Sequence, residues 1–187
     1  MSRDLPIRPG LAGLEAAAVE GHPGLPPVER WNPPYCGDSG MRIAGDGTWF
    51  HQGAVITRPA LVRLFSTILR KDDDGFMLVT PVEKLSITVE DAPFAAVLME
   101  AIGKGADMRL TFTTNVGDKI TAGLDHGLRF TPDAKTGAPI PYLHVRRGLE
   151  AKLARPVYYA MVELAVTQDG DLGVWSDGIY FVMGPVP

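Results

Sequence analysis

Glycine and proline interrupt this chain so often that long regular elements have little room to form: 21 glycines and 16 prolines occur in 187 residues. Each proline ring fixes φ and removes a backbone donor, and each glycine opens turn conformations that other residues resist. Together they make up about a fifth of the chain, short of the roughly 25–30% that marks low-complexity sequence. Being spread out, they read as punctuation between many short elements. With 45% of its residues hydrophobic, the chain still has the material for a buried core. Its longest strictly apolar stretch is the six residues Phe94 to Met99, against the roughly 20 that a membrane-spanning helix needs.

Charge and targeting signals exclude further classes. With 18 basic and 22 acidic residues the formal charge is −4, the wrong sign for a protein that neutralises many phosphates, so no nucleic-acid partner is expected. A lone cysteine, Cys36, excludes an intramolecular disulfide and a cysteine-based zinc site and fits a reducing compartment. The start carries Asp4, Pro6 and Pro9 in place of an apolar export signal. A cytoplasmic protein that does not insert into membranes is the expectation.

Three regions are expected. Residues 1–30 form an arm, with a short helix over Leu11 to Val19 and a connector stiffened by Pro23, Pro26 and Pro27. Residues 31–90 form a first α+β unit. Residues 91–187 form a second, more β-rich one. From Met41 to Ile56 the pattern predicts a β-meander with a turn at Asp46-Gly47. A helix follows, capped by Thr57 and opened by Pro59, with Leu61, Leu64, Phe65, Ile68 and Leu69 on one face and Arg70 and Lys71 at its C-terminal end. Strands are predicted at 76–79, 85–89, 94–102, 108–114, 119–124 and 143–145.

A second helix opens at Arg155-Pro156, and its apolar residues Tyr158, Met161, Val162, Ala165 and Val166 repeat the offsets seen after Pro59. The two Arg-Pro pairs lie 97 residues apart, and both helices run toward an acidic turn with glycine. These coincidences predict a duplicated strand–helix–strand unit of domain size. Leu64, Phe65, Ile68, Met161 and Val162 are the predicted core residues.

Motifs for chemistry are scarce. Gly37-Asp38-Ser39-Gly40 has the letters of a serine-protease nucleophile, but the only upstream histidine is His22, in the connector. It reads as a turn. His22, His51, His126 and His144 show no pair at metal-binding spacing, although Asp125 adjoins His126, and no glycine-rich phosphate loop is present. No cofactor is expected. Thr80-Pro81-Val82-Glu83 fits a capping box, and Asp91 before Ala92-Pro93 fits an Asx turn. Trp49 and His51 share one face of a strand, with Thr48 and Phe50 on the other. Arg146, Arg147 and Arg155 read as a local basic cluster able to meet a carboxylate or phosphate.

The segment WNPPYCGDSGMRIAGDGTWFHQGAVITRPALVRLFSTILR, continuing to LVTPVEKLSITVEDAPF, resembles the DUF1285 family of bacterial proteins. So do TTNVGD and the arginine-rich stretch before VYYAMVELA, and the likeness runs from Trp31 to about Phe181. The resemblance implies an α+β core with internal duplication, a C-terminal half similar to pleckstrin-homology-like folds, and a binding site between the halves with a role in signalling. It implies no catalytic residues. Two functional classes stay open. One is a non-enzymatic ligand- or peptide-binding regulatory module for a small anionic ligand or peptide, with homo-oligomer formation left open. Its expected lining is Arg42, Asp46, Trp49, His51, Thr80, Glu83, Arg147 and Arg155. The other is a small hydrolase or transferase using Asp46, Glu83 and Asp91 with His51.

Overall fold

A computed structural model describes residues 24–185 of the protein. The helix expected over Leu11 to Val19 lies outside the described residues. The chain divides into two compact units, the first ending at Val89 and the second comprising Gly45–Gly47 and Glu90 onward.

The first unit is a six-stranded sheet made of two three-stranded meanders. β1 (Tyr35–Ile43), β2 (Trp49–His51) and β3 (Ala54–Val55) form one, and β4 (Leu69–Asp72), β5 (Gly75–Val79) and β6 (Lys84–Val89) the other. The order across the sheet is β3-β2-β1-β6-β5-β4, so the meanders meet along a parallel pair of β1 with β6. Helix α1 (Pro59–Thr67) links the two meanders.

That helix is shorter than its hydrophobic stripe. Arg58, with extended backbone and no side-chain cap, takes the N-cap place expected of Thr57. At the other end the Ser66 and Thr67 hydroxyls donate to the carbonyls of Arg63 and Leu64, both at 2.7 Å. Such back-bonds compete with helix propagation. Leu69, Arg70 and Lys71 then pair with Leu78, Met77 and Phe76 in a hairpin turning at Asp73-Asp74. The stripe carried through residues whose long-range pairing outweighs one more helical turn. Phe65 and Ile68 are buried as expected, Leu64 half-buried, and the Phe65 ring stacks on Trp49 at 6.4 Å between centroids.

The connector is fastened to β4. Val28 is fully buried, and Arg70 Nη1 donates to the carbonyls of Val28 (2.9 Å) and Trp31 (2.8 Å). Asp72 grips the rest of that guanidinium through both oxygens, at 2.6 and 2.8 Å, and also accepts from Lys84. The Arg70 bond, joined by that of Lys84 and opposed in part by burial, holds the Asp72 carboxyl below its ordinary range. A carboxyl depressed in the folded state contributes stability that is complete above its unfolded value, about pH 3.9, and is lost as pH falls through the folded value. Asp72→Asn should therefore lower stability at pH 7 and flatten its decline below about pH 4, read from urea unfolding at a series of pH values. An unchanged acid slope would remove Asp72 from this role.

The second unit repeats the sheet. β7 (Phe94–Ile102), β8 (Arg109–Thr114) and β9 (Lys119–Thr121) form one meander, and β10 (Leu128–Pro132), β11 (Pro139–Arg146) and β12 (Leu149–Leu153) the other. The order β9-β8-β7-β12-β11-β10 again places a parallel pair, β7 with β12, at the centre. Helix α2 (Arg155–Val162) follows, and β13 (Val166–Gln168), β14 (Asp171–Ser176) and β15 (Ile179–Pro185) add a separate three-stranded sheet.

The architecture is thus α+β and duplicated, but the repeat is not the one the Arg-Pro pairs suggest. Tyr35 and Phe94 open equivalent strands, and Lys84 and Leu149 open the equivalent closing strands. In the first unit the helix joins the meanders. In the second it comes after both and leads out of the sheet. An early proline and an apolar stripe are features of docked helices in general, and they matched here without equivalence of position. α2 also stops at Val162, leaving Ala165 outside it and Val166 in β13. Met161 is buried, Val162 half-buried, and Val157 supplies the second buried contact.

Candidate functional site

Of the eight expected lining residues, Arg42, Trp49, His51, Thr80 and Glu83 belong to the first unit, and Asp46, Arg147 and Arg155 to the second. The register of β1 and β2 pairs Ile43 with Trp49, Met41 with His51 and Arg42 with Phe50. Cross-strand partners share a face. Trp49 and His51 therefore do share one, as expected, and it is the core face: Trp49 is 1% exposed and packed on Phe65. Its indole has no outward surface to serve as a ligand platform. Arg42 lies on the opposite face, its guanidinium 4.0 Å over the Phe50 ring. Thr80 Oγ1 accepts from the amides of Val82 and Glu83, as in a capping box. No helix follows, and the Thr80 amide donates to the Glu83 backbone carbonyl at 2.9 Å instead of to its side chain, whose Oε1 is buried without a hydrogen-bond partner.

In the second unit Asp46 is exposed in a turn whose glycines hold it in place. Gly45 N–H donates to Glu90 Oε2 (3.0 Å), and the Gly47 carbonyl accepts from Asn115 Nδ2 (3.0 Å). Asn115 Oδ1 also accepts from the Ala95 amide at 3.1 Å. Gly47 has φ +86°, and a Cβ there would lie 2.7 Å from Asn115 Nδ2. The TTNVGD segment is thus structural at Asn115. It is structural at Asp118 too, which pairs with Arg146 at 2.6 Å while that guanidinium covers the Phe94 ring.

The basic cluster read from sequence does not stay together. Arg146 is committed to Asp118. Arg147 sits in the two-residue turn before β12, and Arg155 opens α2 beyond its far end. The length of β12 between them separates the two by on the order of 20 Å.

What the fold does assemble is a polar face on β10, β11 and β12. Alternation turns Leu143, Val145, Leu149, Ala151 and Leu153 inward. Arg129, Tyr142, His144, Glu150 and Lys152 take the other side. Across this face Arg129 pairs with Tyr142, Tyr142 with Lys152, and His144 with Glu150. Arg129 grips Glu150 through Nε (3.0 Å) and Nη2 (2.8 Å), donates to the Thr131 hydroxyl, and lies 4.4 Å over the Tyr142 ring. The Tyr142 hydroxyl donates to Asp91 Oδ1 at 2.7 Å, and Lys152 pairs with the other oxygen. Asp91 thus ties two side chains of the sheet together, where sequence suggested a local turn or a candidate catalytic carboxylate.

Burial, then the Asp91 carboxylate, pushes the Tyr142 phenol up to about 12. Tyr142 is accordingly a donor at neutral pH and no general base. No nucleophile adjoins a base on this face. Among the described residues no group of three or more His, Cys, Asp or Glu could hold a metal ion. The signal for this face was present in the period-2 alternation of 128–131, 142–145 and 149–153.

At one end of the face stand the two histidines, stacked with centroids 6.0 Å apart. His126 Nδ1 is 3.1 Å from the His144 carbonyl oxygen, and His144 Nδ1 is 2.8 Å from the Asp125 carbonyl oxygen. His144 Nε2 accepts from the Gly148 amide at 3.2 Å.

Sheet topology and site together describe a duplicated two-unit α+β protein with a charged sheet face in its second unit. The chain belongs to the DUF1285 family: the N-terminal domain of this family of unknown function matches residues 26–92, and its C-terminal domain residues 93–183. It is similar to the crystal structure of a DUF1285 family protein from Silicibacter pomeroyi DSS-3, with 51% identity, a TM-score of 0.86, and coverage of 93% of this chain and 96% of that one. A DUF1285 family protein from Shewanella baltica OS155 is 30% identical with a TM-score of 0.52, over 66% of this chain and 91% of that one. No curated protein matches the chain. No helix among the described residues is long and apolar enough to cross a membrane.

Proposed function

We propose that the protein is a non-enzymatic binding module of the cytoplasm, serving a regulatory role, and that it takes a small anion or a carboxylate-bearing peptide on the β10–β12 face. One observation carries this reading. In both ion pairs of the face the cation is the more exposed member: the Arg129 side chain is 50% exposed against 28% for Glu150, and Lys152 34% against 26% for Asp91. The carboxylates are tucked beneath and hold their cations in place. Fixed guanidinium and ammonium groups over a neutral phenol suit an anion, which a planar arginine can meet in bidentate fashion. A C-terminal half similar to pleckstrin-homology-like folds, which the family resemblance implies, would fit a sheet that binds a ligand without altering it. Of the residues of the hydrolase or transferase reading, Asp91 is engaged on both oxygens, by the Tyr142 hydroxyl and by Lys152, which argues against its serving as a base there.

Thermal-shift titration with phosphate, citrate, a phosphorylated amino acid and an acidic peptide tests the proposal. At least one should raise Tm in proportion to the logarithm of its concentration, and the rise should vanish in the double variant Arg129→Gln/Glu150→Gln, which removes the pair without leaving an orphaned charge. No shift with any probe, or the same shift in that variant, would overturn it.

A further inference from the structure

We infer that His144 is a proton-operated latch on the Arg147–Gly148 turn. The two carbonyl contacts decide where the ring protons sit, because a carbonyl oxygen only accepts. His144 Nδ1, 2.8 Å from the Asp125 oxygen, carries the hydrogen, and its Nε2 is therefore the bare nitrogen that accepts from the Gly148 amide at 3.2 Å. Both ring nitrogens are engaged, and only the neutral ring satisfies both bonds. A second proton on His144 can go only to Nε2, where it would face the N–H of Gly148, donor against donor. That bond must break.

The bond it would break secures a tight turn. Arg147 and Gly148 both have positive φ, +51° and +75°, and they join Arg146 to Leu149 across the hairpin. Arginine is seldom found in that region of backbone space. An extra side-chain bond at Gly148 helps hold it there, and losing that bond frees the turn.

His126 is placed differently. Its Nδ1 donates to the His144 carbonyl, so a proton added at its Nε2 leaves that bond intact. A cation on His126, stacked 6.0 Å away, would oppose one on His144. The other charges facing His144 are Glu150, its cross-strand neighbour on β12, already held by Arg129, and Arg147 in the turn itself. Arg146, further along β11, is held by Asp118, and Asp125 precedes His126. The latch opens when acidification puts a second proton on His144. It stands apart from the anion-binding proposal, since the turn responds to pH with or without a ligand.

Nuclear magnetic resonance of the full chain tests it between pH 8 and 5. At pH 8 the His144 ring should show the Nδ1–H tautomer in two-bond proton–nitrogen spectra. On acidification the Gly148 amide should titrate with the same midpoint as His144, and its hydrogen exchange, corrected for the intrinsic pH effect, should accelerate at least about tenfold. His144→Gln should abolish the Gly148 titration. Should that variant fold poorly, His126→Phe, which keeps a ring over His144, should leave the titration in place. An Nε2–H tautomer at pH 8, a Gly148 amide indifferent to the His144 titration, or loss of the response in His126→Phe would overturn the latch.

Discussion

Phe65→Ala is expected to destabilise the first unit by about 3–5 kcal/mol, the range for truncating a buried aromatic. Phe65 is 1% exposed and is the contact through which α1 stacks on Trp49, itself 1% exposed. The substitution removes the ring from a core that also contains Ile43, Ile68, Leu69, Leu78 and Leu85. Those neighbours sit on paired strands or at the end of the helix and have little freedom to collapse into the void, which places the cost toward the upper part of the range. The Trp49 indole N–H has no hydrogen-bond partner, so nothing polar fixes that ring once Phe65 is gone. Denaturant unfolding followed by tryptophan emission measures the effect. A loss below roughly 1 kcal/mol would mean that α1 is only loosely packed on its sheet.

The second large effect is expected at Ser176, a fully buried hydroxyl on β14. β9 ends at Thr121, and just beyond it the Leu110 amide and the Ala122 carbonyl are joined through this side chain. Ser176 Oγ accepts from Leu110 N–H at 3.0 Å and donates to the Ala122 oxygen at 2.7 Å. Ser176→Ala strands both groups where water does not reach. An unsatisfied buried polar group costs about 1–3 kcal/mol, so the pair should cost about 3 kcal/mol. Ser176→Thr keeps the hydroxyl and should recover much of that loss. Urea unfolding of both variants reads the difference, and equal destabilisation by Ala and Thr would show that volume, rather than the hydroxyl, decides the site.

Much of the strand pattern was legible in the sequence. Phe94 to Ile102 has the bounds read from it, and β5, β6 and β8 differ from expectation by a single residue at one end. Short apolar runs bounded by turn residues carry this information locally. The helix ends were not legible. Leu69 and Val166 keep the helical period, yet each pairs with a strand that the period knows nothing about. β10 and β12 are absent from the expected strands although Arg129, Glu150 and Lys152 alternate with apolar residues along them, the period-2 pattern of a half-buried strand. The site was the least legible part. Asp91 meets Tyr142 and Lys152 from 51 and 61 residues away, and His126 meets His144 across 18. Such meetings depend on which strands lie side by side. Residues that looked clustered in sequence, such as Arg147 and Arg155, were separated by an intervening strand.

The parallel pairs at the centre of the two sheets bear on the order in which the chain can be completed during synthesis. A meander needs only neighbouring segments and can form in microseconds, whereas a pair between first and last strands must wait for the whole unit. β1 ends at Ile43 and its parallel partner begins at Lys84, so at the roughly 5–20 residues per second of translation β1 keeps an open edge for on the order of 2–8 seconds. β7 waits in the same way for β12. An unpaired edge invites pairing with another chain. Polypeptides released before Val89 or Leu153 would carry such an edge permanently, and they should collect in inclusion bodies while the finished chain does not.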